Sequence, residues 1–285
     1  MPNLFNPDYL GGLCRRYGLQ PSRKYGQNYL IDADVIQKIV AAGKLTETDT
    51  VVEVGPGFGT LTFALIQRTK KVVAFEIEKK LQPYWDEKIK EYPNIGIVWG
   101  NVLKEFARQN FSNYKVVANL PYQITSPVIR LFLEAENPPS ELILMVQKEV
   151  GERLSAVPGQ LSLLAVAVQY YADVKYLFTV PRTSFWPVPA VDSCVVQITL
   201  KKLMEEEKIT AAYFFKVVKI GFAQKRKLLI KNLLPLVGRK NKVGLEKIFD
   251  LLQLKVTTRA QELTLEQWKK LATEVNLLIQ TGTER

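Results

Sequence analysis

The chain has 285 residues, 47% of them apolar, which is enough for one full-sized domain and a smaller one, and no apolar run reaches the roughly 18 residues of a membrane span. It contains no histidine and only two distant cysteines, Cys14 and Cys194, which excludes a Ser-His-Asp hydrolase, a histidine general base and a zinc site made of His or Cys. Residues 201–285 carry 18 basic against 9 acidic residues, a net of +9 out of the total of +11, and this local excess favours a nucleic-acid surface over a merely solvated helix face.

The N-terminal segment, residues 1–28, is predicted to be a basic arm with at most a short helix. Its four clustered basic residues, which include Arg23 and Lys24, lie among Gly, Pro and Tyr with little periodicity. Basic arms of this kind often contact phosphates. An amphipathic helix is predicted next, and either Asp32 or Asp34 can cap its N-terminus.

A strand, a glycine loop and a helix are predicted to follow one another from residue 50. The β-branched run 50–54 precedes Gly55, Gly57 and Gly59, and glycines there let the backbone approach a ligand near a helix N-terminus. Glu76 ends the next predicted strand, where a carboxylate can accept hydrogen bonds from both hydroxyls of a ribose. The spacing differs from a dinucleotide fingerprint and matches the G-x-G-x-G loop of S-adenosylmethionine-dependent methyltransferases, so an NAD oxidoreductase is a distant alternative.

Polar groups suited to a nucleobase follow the fourth predicted strand, residues 114–118. This strand leads directly into the tetrapeptide Asn119, Leu120, Pro121, Tyr122. Asn119 offers an amide oxygen to an exocyclic amino group, Tyr122 offers a flat face for stacking, and Pro121 helps to leave the Leu120 carbonyl directed at a ligand. Ligands bind at the carboxyl ends of strands in open α/β sheets, so we interpret the tetrapeptide as a pocket for an extruded base. Taken alone, it could equally be a turn with an aromatic lid.

The third predicted strand, residues 95–99, is followed by Asn101, whose amide could pair with an adenine. Further strands are predicted over 141–147, 176–180 and 194–200. Ser126 can cap a helix that has Pro127 in its first turn, and a second helix is predicted over 161–171. Between the last two strands, Phe185 and Trp186 could stack on a base or pack the loop down. Alternating strands and helices predict a mostly parallel α/β sheet in residues 1–202.

From residue 203 the pattern becomes helical, with helices predicted over 211–234, 245–254 and 265–279. Thr264, with Gln267 three residues later, predicts a reciprocal cap at the start of the last helix. Residues 216–242 contain nine basic residues and no acidic one. Lys225, Arg226 and Lys227 lie at the centre of this segment, with Lys231 one helical turn further on. These four side chains are the best candidates for contacts with phosphates, so residues 203–285 are predicted to form a helical RNA-binding domain.

Several separated motifs, in this order and spacing, together resemble the KsgA family of small-subunit rRNA adenine dimethyltransferases, and the resemblance covers nearly the whole chain. In the first half they are Lys24-Tyr-Gly-Gln-Asn-Tyr-Leu30, Glu53-Val-Gly-Pro-Gly-Phe-Gly-Thr-Leu-Thr62 and the tetrapeptide. In the second half they are Gln147-Lys-Glu-Val-Gly-Glu-Arg153, Phe185-Trp-Pro-Val-Pro-Ala-Val-Asp-Ser193, Phe222-Ala-Gln-Lys-Arg-Lys-Leu228 and Arg259-Ala-Gln-Glu-Leu263.

The resemblance implies a Rossmann-like class I methyltransferase sheet with a small C-terminal helical domain. It implies transfer of methyl groups from S-adenosylmethionine to N6 of adenosines, twice per base, in the 3'-terminal helix of small-subunit rRNA, with a role in ribosome biogenesis. The residues that would line the cofactor site are Asn28, Leu30, Gly55, Gly57, Gly59, Glu76, Asn101 and Asn119. Two features depart from the family: asparagine replaces the usual aspartate at Asn101, and residues 158–164 form a shorter segment.

Two other functions are compatible with the same motifs. One is a large-subunit rRNA adenine methyltransferase of the antibiotic-resistance type. Position 120 argues against this function, because it is leucine and not isoleucine. The other is a non-catalytic ribosome-assembly or transcription factor that kept the fold. The favoured reading predicts a cytoplasmic monomer that acts on small-subunit rRNA within a ribosomal precursor, with no metal and no membrane contact.

Overall fold

The computed structural model describes residues 3–20, 28–202 and 205–283. They form two compact units, Met1–Glu152 with Ala172–Leu200 and Arg153–Tyr171 with Lys201–Arg285. The sequence predicted one boundary near residue 202, whereas the segment 153–171 joins the second unit, because Tyr170 stacks on Phe214 with 4.5 Å between ring centroids. Among the described residues no helix is both long and apolar enough to span a bilayer.

The first unit contains two sheets. Its strands are β1 (Tyr29–Leu30), β2 (Thr50–Val54), β3 (Lys71–Glu76), β4 (Ile95–Trp99), β5 (Tyr114–Asn119), β6 (Glu141–Gln147), β7 (Ala172–Val180), β8 (Phe185–Trp186) and β9 (Ser193–Leu200). Seven of these form one sheet in the order β4-β3-β2-β5-β6-β9-β7. The first five run parallel, and β9 is antiparallel to both β6 and β7. Val51, Val72 and Val116 are fully buried, as is typical of parallel strands covered on both faces.

The strand order reverses between β2 and β5. Strands β3 and β4 follow β2 on one side of the sheet, while β5 and β6 lie on the other. Thr50 of β2 pairs with Tyr114 of β5, so the residues after both strands emerge at the same edge. Such a switch point leaves a crevice at the carboxyl ends of the strands, which is where the glycine loop and the tetrapeptide begin.

The second sheet is a small ribbon that brings two distant segments together. Tyr29 pairs with Trp186 and Leu30 pairs with Phe185 in an antiparallel register. Ser184 strengthens this junction, because its Oγ donates to Asp32 Oδ2 at 2.7 Å. The ribbon thereby holds residues 28–30 and the loop after β7 in one place.

The helices of the first unit are α1 (Pro7–Arg16), α2 (Ala33–Ala42), α3 (Thr62–Leu65), α4 (Gln82–Glu91), α5 (Val102–Glu105), α6 (Thr125–Leu133) and α7 (Lys148–Leu154). Asp32 caps α2 by accepting from the amides of Asp34 and Val35, which confirms one of the two predicted caps. α6 begins without a side-chain cap, so the predicted cap at Ser126 is wrong.

Helix α1 differs from the predicted arm. Asn6 Oδ1 accepts from the backbone N–H groups of Asp8 and Tyr9, and Pro7 fits the first helical position, so the helix starts sharply. Leu10, Leu13 and Cys14 are buried in the core of this unit. Their spacing is helical, but the short apolar face was hidden among glycines. Cys14 and Cys194 are both buried free thiols.

The second unit is helical. It contains α8 (Leu163–Tyr171), α9 (Glu205–Gly221), α10 (Leu229–Val237), α11 (Lys242–Leu251) and α12 (Leu265–Thr283) around a core that includes Phe214, Leu233 and Trp268. The predicted helix 211–234 is in fact two helices, because Leu228 adopts an extended backbone (ψ 142°) and the segment 222–228 forms a turn. Thr264 and Gln267 form the predicted reciprocal cap of α12.

Candidate active site

A cleft opens where β2, β3 and β5 end. It brings together the glycine loop, the acidic end of β3, the tetrapeptide after β5 and the ribbon strand β1. Its lining consists of Asn28, Tyr29, Leu30, Glu53, Gly55, Pro56, Gly57, Thr60, Leu61, Glu76, Ile77, Leu81, Asn119, Leu120, Pro121, Tyr122 and Phe185. One concave site therefore contains residues separated by more than 150 positions in the chain.

The glycine loop lies close to both the tetrapeptide and the ribbon. Gly55 has a φ of +71°, and a Cβ on it would lie 3.9 Å from Pro121 Cγ. Gly57 has a φ of +55°, and a Cβ there would lie 3.1 Å from Tyr29 Cε1. Both positions combine a left-handed backbone with close neighbours, so a side chain would strain the loop and narrow the cleft.

Glu76 lies at the floor of the cleft and is only 4% exposed. Its Oε2 accepts from the Gly57 N–H at 3.2 Å, and its Oε1 accepts from the Glu78 N–H at 2.7 Å. Burial raises the pKa of Glu76 to about 7, although these backbone donors favour the charged form. Each oxygen keeps a further lone pair, so the carboxylate can also accept from two ligand hydroxyls.

A second buried carboxyl group, Glu53, was not among the predicted site residues. It is 2% exposed on β2 and accepts a hydrogen bond from Thr62 Oγ1 at 2.7 Å. Burial, with a smaller contribution from the nearby Glu76, raises the pKa of Glu53 to about 8. An acidic residue inside an apolar strand, two positions before the glycine loop, is the signal that could have identified it.

Hydrogen bonds restrain the side-chain amide of Asn119 and the backbone of the next residue, Leu120. Asn119 Nδ2 donates to the Asn28 carbonyl at a long 3.5 Å, which assigns the other amide atom, Oδ1, as an acceptor. The Leu120 N–H donates to the Met145 carbonyl at 3.1 Å, and Pro121 has no N–H to offer. Both residues line the cleft, and the acceptors beside these donors are Asn119 Oδ1 and the Leu120 carbonyl, which are the type of group that suits an amino group.

Tyr122 begins a short 3-10 turn, Tyr122–Ile124. The turn is closed by the Pro121 carbonyl, which accepts from the Ile124 N–H at 3.1 Å and from Thr125 Oγ1 at 3.4 Å. The Tyr122 hydroxyl lies 2.8 Å from Ser193 Oγ. Burial raises the pKa of Tyr122 above its usual value, so the phenol is protonated at neutral pH.

The structure places most of the predicted cleft residues together, with three differences. Gly59 lies against the core, where a Cβ would come within 2.8 Å of Phe63 Cε2, and Asn101 caps α5 by accepting from the Leu103 N–H at 3.0 Å; neither lines the cleft. Phe185 is 1% exposed, so it lines the inner wall and is not a surface on which RNA can stack. Its predicted RNA contact is therefore corrected in favour of the packing alternative. Arg23 and Lys24 lie outside the described residues.

The predicted phosphate-binding residues lie in the second unit. Lys225, Arg226 and Lys227 are exposed in the turn between α9 and α10, and Lys231 is exposed on α10. The buried Asn232 holds this turn by donating its Nδ2 to the carbonyls of Gly221 at 2.6 Å and Gln224 at 3.2 Å. The basic side chains thus project from a backbone that is fixed by hydrogen bonds.

Comparison with known proteins gives concordant matches. The family model described as "Ribosomal RNA adenine dimethylase" matches residues 18–276. "Ribosomal RNA small subunit methyltransferase A" of Bacillus licheniformis is 37% identical over 271 residues, which is 91% of this chain and 93% of the relative. Two crystal structures, each 25% identical, cover 87% of this chain: the 23S rRNA methyltransferase ErmE, with a TM-score of 0.70 over 99% of its length, and a dimethyladenosine transferase from Plasmodium falciparum, with 0.71 over 97%.

The reversed strand order, the glycine loop and the acidic end of β3 define a Rossmann-like methyltransferase that uses S-adenosylmethionine. Among such enzymes, the family match extends through both units of the chain. The protein belongs to the ribosomal RNA adenine dimethylase family.

Proposed function

We propose that the protein transfers two methyl groups from S-adenosylmethionine to N6 of each target adenosine in small-subunit rRNA. The observation that carries this proposal is that one cleft holds the glycine loop, Glu76 and the tetrapeptide 119–122. A donor bound at the glycine loop and a base bound at the tetrapeptide would then face each other across the switch point. The relatives named for the same activity support the choice of substrate.

The residues of the cleft suit the chemistry of the donor. Glu76 would accept hydrogen bonds from the two ribose hydroxyls, and the side-chain-free backbone at Gly55 and Gly57 would admit the rest of the molecule. Leu30, Ile77 and Leu81 would provide the apolar walls. When bound, S-adenosylmethionine supplies a methyl group made electrophilic by its sulfonium sulfur.

The tetrapeptide would prepare the adenine amino group for attack. The N6 lone pair is delocalised into the ring, which makes it a poor nucleophile. Asn119 Oδ1 and the Leu120 carbonyl would each accept an N6 hydrogen, favour a tetrahedral nitrogen and direct its lone pair towards the methyl donor. Tyr122 would hold the ring by stacking, which is worth roughly 1–3 kcal/mol per base. No side-chain base is needed, because the N6 proton becomes acidic only after the methyl transfer and can then leave to solvent.

The basic turn 222–228 is proposed to bind the rRNA backbone. Its three adjacent cations are exposed, and Asn232 keeps their backbone in one conformation. Pre-ordering of this kind lowers the entropy lost on binding phosphates. The residues Arg23 and Lys24 are proposed to add phosphate contacts from the N-terminal arm.

Finer features of the function are also proposals. The targets would be two adjacent adenosines in the 3'-terminal helix, modified within a small-subunit precursor during ribosome biogenesis by a monomer in the cytoplasm. Residues 1–202 would carry out methyl transfer, and residues 203–285 would contribute to rRNA binding. The short segment 158–164 is expected to modify substrate contacts relative to other members of the family.

The test is mass spectrometry of undermethylated small subunits after incubation with the protein and S-adenosylmethionine. We expect N6,N6-dimethyladenosine in the 3'-terminal helix of the small-subunit rRNA. Failure of the wild-type protein to transfer any labelled methyl group would instead indicate a non-catalytic ribosome-assembly or transcription factor.

A second candidate, methylation of large-subunit rRNA, is favoured only by the fold shared with ErmE. Primer extension on both rRNAs separates the two. A stop confined to the large-subunit rRNA would contradict the proposed function.

A further inference from the structure

The hydroxyl of Ser193, at the start of β9, contacts the hydroxyl of Tyr122. The two hydroxyl oxygens are 2.8 Å apart, although the residues are separated by 71 positions in the sequence. Ser193 is completely buried, whereas Tyr122 is only half-buried at the cleft. The hydroxyl contact therefore joins the half-buried Tyr122 side chain to a residue of the buried core.

The anchor is rigid because Ser193 is held from both sides. As the first residue of β9, it pairs with Gln147 of β6 and with Val180 of β7. The preceding residue, Asp192, accepts the Lys148 N–H through its carbonyl at 3.0 Å and the Arg182 N–H through Oδ1 at 2.9 Å. Ser193 Oγ thus occupies a position fixed by two strands and a loop.

The tyrosine, in contrast, has little local support. It starts a single 3-10 turn after Pro121, so no long helix or strand restrains its side-chain torsions. A tyrosine ring turns about two bonds, and a hydrogen bond at its tip restricts the first, χ1, because the phenolic oxygen lies on the axis of the second. Within hydrogen-bonding distance, the Ser193 hydroxyl can accept from or donate to the phenol and hold the ring at one position in the cleft.

We propose that Ser193 is a positioning residue that fixes the position of the Tyr122 ring in the cleft, so that a stacked adenine keeps one place through both methyl transfers. This inference rests on the proposed function, because it concerns the ring expected to stack on the target base. The second transfer makes the greater demand, since a monomethylated amine must fit the same donor geometry with less room. Loss of the hydrogen bond between Tyr122 and Ser193 should therefore slow the second methyl transfer more than the first.

The experiment is single-turnover methylation of undermethylated small subunits by wild type, Ser193→Ala, Tyr122→Phe and the double variant. A neutral hydrogen bond is worth about 0.5–1.5 kcal/mol, so each single variant should lose about twofold to tenfold in rate. Mass spectrometry should show a larger fraction of N6-monomethyladenosine. The double variant should be no slower than the slower single variant, because both changes remove the same bond.

The chain offers a matched control in another hydroxyl pair. Tyr176 and Thr179 make a 2.7 Å hydroxyl contact on an exposed part of β7, and neither residue lines the cleft. Thr179→Ala should leave the rate and the product ratio unchanged. Tyr122→Phe also provides a control for misfolding of Ser193→Ala, because it removes the same hydrogen bond without changing the buried serine.

The outcomes separate this inference from the proposed function. Normal rates and product ratios in both single variants, or losses that add in the double variant, would overturn the role of Ser193 while wild-type activity stands. Absence of methylation by wild-type protein would overturn the proposed function itself. Cofactor affinity, measured by calorimetry, should be equal in all four proteins.

Discussion

At the scale of single residues, the orientation of the Asn119 side-chain amide determines which hydrogen-bonding groups the tetrapeptide can offer to a base. Asn119 directs Nδ2 at the Asn28 carbonyl and keeps Oδ1 as an acceptor. An aspartate at this position would turn a carboxylate oxygen towards the same carbonyl, which is repulsive. This contact therefore requires an amide, whose Nδ2 donates to the protein and whose Oδ1 is the group proposed to accept from N6.

Removing that amide should affect catalysis more than binding of the methyl donor. Asn119→Ala is expected to lower turnover at least about 100-fold, because the acceptor that orients N6 is lost, while S-adenosylmethionine binding stays measurable. Methyl transfer from labelled cofactor and calorimetry measure the two effects. Asn94→Ala is a suitable control, since Asn94 also donates to a carbonyl, that of Ile66 at 3.3 Å, away from the cleft. Wild-type turnover of Asn119→Ala would exclude the proposed role.

The ionisation of Glu76 should make cofactor binding depend on pH. The charged carboxylate is the form proposed to accept from ribose hydroxyls, and its pKa of about 7 means that it is largely protonated in the free protein under mildly acidic conditions. Because binding must then release a proton, the Kd for S-adenosylmethionine should rise by up to about tenfold for each pH unit below 7. Calorimetry between pH 6 and about 8.5 measures this slope.

Glu76→Gln provides the control for that measurement. It should bind S-adenosylmethionine more weakly at high pH and lose the part of the slope that Glu76 contributes, whereas any titration of Glu53 or of the cofactor itself remains. Equal slopes for the variant and the wild type would assign the pH dependence to another group.

At the scale of elements, the turn between α9 and α10 concentrates positive charge on a fixed backbone. Gly221 ends α9 against Trp268, where a Cβ would come within van der Waals overlap of the ring, and Asn232 ties the turn to α10. The sequence predicted one continuous helix here. The break is what exposes three consecutive cations on the same turn.

Replacing Lys225, Arg226 and Lys227 with alanine should weaken rRNA binding mainly at low salt. Each lost phosphate contact lowers the slope of log K against log salt by about 0.7–0.9, so the triple variant should lose roughly 2 to 3 from the slope. Filter binding over a salt series measures it, and cofactor affinity should not change. A triple alanine variant at the exposed residues Lys247, Lys255 and Lys270 removes the same charge elsewhere in the second unit and should keep a steeper slope.

At the scale of the whole molecule, two buried carboxyl groups in one cleft link stability to pH. Glu53 and Glu76 have pKa values raised to about 8 and about 7, against 4.5 when unfolded. Between these values the folded protein binds more protons than the unfolded chain, so stability is greatest on the acidic side and falls as pH rises. The chain has no histidine, so few other groups titrate in this window.

The free energy of unfolding of the cofactor-free protein should accordingly fall by on the order of a few kcal/mol between roughly pH 5 and pH 8. Urea unfolding at several pH values measures this change. Glu53→Gln keeps an acceptor for Thr62 Oγ1 and should make the dependence shallower. A stability that rises with pH over this range would contradict the assignment.

Local patterns in the sequence were sufficient to predict the strands β2 to β6, the cap at Asp32, the glycine loop and the tetrapeptide at the end of β5. These features depend on neighbours within a few residues: β-branched runs, side-chain caps and glycines at turns. The parallel sheet then followed from the alternation of strands and helices. The resemblance to one family rested on the same local motifs.

Only the tertiary structure decided which of these residues meet. The pairing of β1 with β8 buried Phe185, and a hydroxyl contact joined Tyr122 to Ser193 at the start of β9. Gly59 packed against Phe63, and Asn101 capped α5. It also placed residues 153–171 with the C-terminal helices. Burial and pairing depend on segments far apart in the chain, and the free energy that selects them comes from the packed whole rather than from any local run of residues.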